Sequence, residues 1–149
     1  MPLILRMHVR LLATIMPLLV RLLKLPALLR LLTPGRRLYG GIDSLRVIAA
    51  VKRRLERPRN MRRRACLREG LMLFHFLRLA GYDAALHFSV YPPHDDVRMH
   101  AHCWVSLDGR CVSTPAAAGG VLVFTYVNAG DAGKLGRIEN LAAKEMSDV

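Results

Sequence analysis

The stretch "ACLREGLMLFHFLRLAGYDAALHFSVY", residues 65–91, contains a change of period that decides the fold. Up to Ala80 the apolar residues recur at helical spacing. Leu67, Leu71, Phe74 and Leu77 lie along one face, and Met72, Leu73, Phe76 and Leu79 fill most of the rest. A helix that is apolar almost all round belongs in the middle of a domain. Gly81 is a natural stop, because many helices end on a left-handed residue that glycine adopts freely. From Leu86 onward the period is two: Leu86, Phe88 and Val90 alternate with His87, Ser89 and Tyr91, the pattern of a half-buried strand. Gly70, inside the helix, costs about 1 kcal/mol of helix propensity. It points to close packing against a neighbouring element.

Downstream, "MHAHCWVSL" and "RCVS" read as two strands joined by a tight turn at Asp108-Gly109. "VLVFTYV", residues 121–127, reads as a further strand. The tail from Asn128 is Gly-rich, then polar, with a weak helical pattern from Leu135 to Met146. Upstream, Asp43 and Ser44 are good N-caps for a helix over 44–56, where Leu45, Ile48, Ala49, Lys52 and Leu55 follow helical spacing. "RPRNMRRR", residues 57–64, holds five arginines in eight, and Pro58 argues against one unbroken helix through it. Residues 1–35 read as short amphipathic helices punctuated by Pro17 and Pro26 and closed by Pro34-Gly35. Helices first and an antiparallel sheet afterwards make an α+β domain.

The chain has 149 residues, one domain's worth, enough to bury a core without disulfides or metals. Its three cysteines are odd in number and form no disulfide framework, so a reducing, cytoplasmic setting is expected. Composition divides it into a basic leucine-rich helical region (1–62), a core (63–128) and a polar tail (129–149). Residues 1–64 carry 16 Lys and Arg against two acids, whereas residues 65–149 carry seven against nine. The net charge of +12 therefore belongs to the N-terminal part, which suits an acidic partner or a solvated helix face. Nucleic acid ranks low, because Tyr39 is the sole aromatic residue there to stack on bases. A membrane-spanning helix needs about 20 largely apolar residues. The longest uncharged run here, Leu11–Val20, is flanked by Arg10 and Arg21. Charge continues through Lys24 and Arg30, unlike a signal peptide. Residues 1–35 are thus candidates for peripheral membrane contact.

Cys66 falls at the start of the buried helix. Unpaired backbone N–H groups and the helix dipole there favour a thiolate, the nucleophilic form. Arg62, Arg63 and Arg64 push the same way, and the same N–H groups are placed to receive an oxyanion. The plainer alternative is an inert, packed thiol. His102 is the base such a thiol would need, or else an ordinary strand histidine. His100 and His102 share a strand face, but no spacing typical of zinc ligands is present, so neither metal nor cofactor is expected. Cys103 and Cys111 read as small strand residues. Trp104 reads as a core anchor or, second, as a wall of a cleft.

The pattern "RACLREGLMLFHFLRLAGYDAALHFSV" followed by "HAHCWVSLDGR" resembles the transglutaminase-like cysteine peptidases of lasso peptide biosynthesis, in their stand-alone form. In that family a Cys-Leu opens the helix, a glycine ends it, a strand with an A-x-L-x-x-x-V rhythm follows, and H-x-W-V precedes Asp-Gly. The resemblance covers roughly residues 64–126. It implies a fold related to papain and transglutaminases, with N-terminal helices, a central helix bearing Cys66 and a small antiparallel sheet. It implies Cys66 as nucleophile and His102 as general base. The implied activity is removal of the leader from a ribosomally made precursor peptide. A small recognition protein presents the leader, and an ATP-dependent cyclase acts afterwards. One departure stands out. The family carries an aspartate on the strand after the histidine, where this chain has Val112-Ser113-Thr114-Pro115. A two-residue turn puts Ser113 on the face of His102 and Trp104, whereas a bulge at Gly109 puts Thr114 opposite His102. Two other functions follow: a weakened or inactive module that binds a precursor peptide, a membrane surface or another acidic partner, and acyl transfer to an amine in place of water.

Overall fold

The buried stripe Leu5, Val9, Ala13, Met16 and Val20 builds the first helix, α1 (Leu3–Leu22), which runs straight through Pro17. This corrects the expectation of short pieces. Proline mid-helix costs about 3 kcal/mol, since it removes an N–H and crowds the carbonyl four residues back. The apolar stripe continues on both sides of Pro17, and each large side chain that it buries returns about 1.5–3 kcal/mol. The break comes instead at Lys24, before α2 (Leu25–Leu32), where Pro26 sits in the first turn and needs no donor. The computed structural model describes residues 3–56, 65–91, 100–113 and 119–127. The arginine run at 57–64, Asp95, Asp96, Thr114 and the tail helix expected over 135–146 lie outside them.

Helix α3 (Ser44–Leu55) starts as expected, with the Asp43 carboxylate accepting from the Leu45 N–H at 3.3 Å. Helix α4 (Ala65–Leu79) buries Gly70–Phe74, Phe76, Leu77 and Leu79, and stops at Gly81, whose φ is +94°. Its neighbours are α1, α2 and α3 on one side and the sheet on the other.

The sheet comprises β1 (Ala84–Tyr91), β2 (His100–Leu107), β3 (Arg110–Cys111) and β4 (Val121–Tyr126), in the order β3-β2-β1-β4. The described pairings are antiparallel, and a bulge interrupts β1 against β4 between Phe88 and Ser89. Ala84, Leu86, Cys103, Val105, Phe124 and Tyr126 turn inward. They share one apolar cluster with the α1–α4 residues, so the core is continuous from Leu5 to Tyr126. The α+β reading holds.

Two polar ties fix the helices. Tyr126 donates from its hydroxyl to Thr33 Oγ1 at 2.5 Å, while Thr33 donates to the Leu29 carbonyl. His8 meets the Tyr39 hydroxyl at 2.9 Å and lies edge-on to His75, which bonds the Leu32 carbonyl at 2.8 Å. Burial lowers the pKa of both histidines.

Candidate active site

Cys66 occupies the first turn of α4, where N–H groups lack intrahelical acceptors. The helix lies across β1 and β2. That packing brings the consecutive β2 residues His102 and Cys103 to the Cys66 sulfur. The thiol is pulled from the ordinary 9.0 down to about 5. The hydrogen bond from the Cys103 side chain is the largest cause. Partial burial pushes the other way, and a bond from the Cys103 backbone N–H, a bond from His102 and the charge of His102 all favour the thiolate. Cys103 moves oppositely. Its bond to Cys66, its own burial and the negative charges of Cys66 and Glu69 raise its pKa, so it stays a protonated donor. The two thiols thus divide into an anion and its donor.

Gly70 makes this approach available. A Cβ there would stand 2.9 Å from Leu86 Cδ1 and 3.1 Å from Cys103 Sγ. Both neighbours are buried and cannot swing away freely. Gly70→Ala gains about 1 kcal/mol of helix propensity but forces overpacking that costs about 1–3 kcal/mol. The expected outcome is a modest net loss in urea unfolding. Cys66 alkylation should also shift to higher pH as Cys103 is pushed off the thiolate. A variant at least as stable as the parent, with unchanged alkylation, would contradict this role for Gly70.

The rings beside the thiol form a stack. Trp104 lies nearly parallel to His102 at 6.2 Å between centroids and to His87 at 5.2 Å. His87 is fixed in turn, meeting Thr125 Oγ1 at 3.0 Å and Ser106 Oγ at 2.7 Å, so three strands hold the stack. Trp104 is only half-buried. It flanks His102 and is no core anchor, which favours the second of the two sequence readings.

The third position resolves in part. Asp108 and Gly109 have φ of +49° and +76°, a two-residue turn with both centres left-handed, and Ser106 pairs with Cys111. The unbulged register is therefore the one adopted. Ser113, however, spends its hydroxyl on the hairpin, accepting from the Val105 N–H at 2.8 Å. Cys111 is exposed and donates to the Ser113 carbonyl. Directly across from His102 in the β1–β2 register is Ser89, 1% exposed, its hydroxyl without a partner among the described residues. An unsatisfied buried hydroxyl costs about 1–3 kcal/mol and calls for an explanation. Sequence reading passed over both Cys103 and Ser89. The β1–β2 register, which places Ser89 opposite His102, is the signal that would have found the second.

A family model described as transglutaminase-like superfamily matches residues 6–125. The chain belongs to the transglutaminase-like superfamily. The match begins in α1 and ends in β4, so the N-terminal helices fall inside it. Searches of curated proteins and of solved structures give no match. A transglutaminase-like fold supports cysteine-based hydrolysis of amide bonds, and the superfamily includes cysteine peptidases. Among the described residues, no group of three or more His, Cys, Asp or Glu is placed to hold a metal ion.

Proposed function

We propose that this transglutaminase-like protein is a cysteine peptidase that removes the leader from a ribosomally made lasso precursor peptide. Cys66 is the nucleophile and His102 the general base. The observation that carries the reading is the Cys66 thiol, held near 5 at a helix N-terminus with His102 bonded to it. A thiolate of that kind is preformed at neutral pH. It attacks the scissile carbonyl, and the first-turn N–H groups of α4 receive the oxyanion. His102 then gives its proton to the leaving amine and later takes one from the water that cleaves the thioester. The Trp104 stack keeps the imidazole in plane, and Ser89 is the hydroxyl best placed to orient it. The partners in this reading are the precursor's leader, a small leader-recognition protein and an ATP-dependent cyclase acting after release.

The test is mass spectrometry of a precursor incubated with the purified chain and its recognition protein. Two fragments whose masses sum to the precursor plus one water support the peptidase. A product carrying an added amine would point to acyl transfer. An intact precursor would favour the alternative of a binding module without turnover.

A further inference from the structure

Helix α1 has a second apolar stripe that the core does not use. Ile4, Met7, Leu11, Ile15, Leu18 and Leu22 are between 38% and 70% exposed. At about 100° per residue they centre on the side opposite the buried stripe of Leu5, Val9, Ala13, Met16 and Val20. Soluble proteins leave single apolar residues exposed, but a continuous row marks a docking surface. The row runs for about 27 Å at 1.5 Å per residue. Exposed Arg10 and Arg21 edge it along one flank, and exposed Arg6 lies further round the same side. From residue 1 to residue 42 the chain holds seven Lys and Arg and no acid.

We propose that this stripe rests on an anionic lipid bilayer, with α1 lying in the plane of the interface. By length and composition α1 is apolar enough to cross a membrane. Its inner face is nevertheless committed to α3 and α4. Spanning would tear five buried side chains from the core, whereas lying flat leaves them in place. An amphipathic helix of this kind sinks its apolar face about 5–10 Å into the headgroup boundary, and flanking arginines reach the phosphates. Charge argues against a second copy as the occupant, since a symmetric pairing would face one acid-free basic surface with another. It argues equally against a neutral apolar groove, which would leave the arginine flank unmatched. The inference does not depend on Cys66 chemistry.

The experiment is cosedimentation of the full chain with vesicles of phosphatidylglycerol and phosphatidylcholine in equal parts, and with phosphatidylcholine alone. Binding is expected to the anionic vesicles and to fall with salt. Leu11→Gln with Leu18→Gln should weaken it roughly a hundredfold by removing two anchoring side chains. Arg10→Glu with Arg21→Glu should abolish the preference for anionic lipid. These four side chains are exposed, so circular dichroism should match the parent for both variants. The proposal is overturned by absent binding, by equal binding to neutral vesicles, or by full binding of the leucine variant. It is also overturned by retention through alkaline carbonate extraction, which would mean a spanning helix. Self-association lost in the leucine variant, without vesicle binding, would assign the stripe to a second copy.

Discussion

Cys66→Ala is expected to lose all detectable precursor cleavage, and His102→Ala nearly all of it. Residues that act as one unit in covalent catalysis fail together, and single removals cost roughly 10⁴–10⁶-fold in turnover. The two variants should nonetheless differ in a second readout. Alkylation disappears from position 66 in the alanine variant. In His102→Ala it persists, because the larger part of the thiolate's stabilisation comes from Cys103. Measured side by side, cleavage and alkylation separate loss of the base from loss of the nucleophile. Cleavage retained by either variant would reject the assignment.

The second large effect concerns Cys103. A hydrogen bond to a charged group contributes about 1.5–3 kcal/mol, or roughly one to two pKa units. In the parent, the alkylation rate of Cys66 should rise with deprotonation through a midpoint near 5. Cys103→Ala removes the side-chain donor but keeps the backbone N–H. The midpoint should therefore move upward by about one to two units. At about pH 6 the rate should drop roughly two- to tenfold and then recover as alkalinity forms the thiolate without help. Cys103→Ser keeps a donor and should stay close to the parent. An alanine variant with an unmoved midpoint would show that the first turn of α4 and His102 suffice.

The fold was legible where local signals agreed. The switch from helical to alternating period, the glycine stop at Gly81 and the Asp43 cap each arise within a few residues, and the structure bears them out. Pro17 misled because its penalty is local, whereas the burial that offsets it is tertiary. Cys66 and His102 stood out as reactive types in suggestive places, and the structure brings them together. Cys103 did not. By parity it faces the core, away from the histidine side of its strand, and that looks like packing. Its importance appears only once α4 docks on β2 at Gly70. The Ser113 hydroxyl was equally illegible, since nothing in the sequence reserves it for the Val105 amide.

The donors that tame the Cys66 thiol lie far downstream of it, on a strand that pairs with β1. A chain that has made α4 but not yet β2 lacks those donors, and its thiol keeps only the help of the helix N-terminus. The bonds from Cys103 and His102 to that sulfur exist only once the sheet has paired and settled against the helix. The lowered pKa of Cys66 is therefore a property of the assembled helix and sheet, and its return on refolding would report that the two have docked.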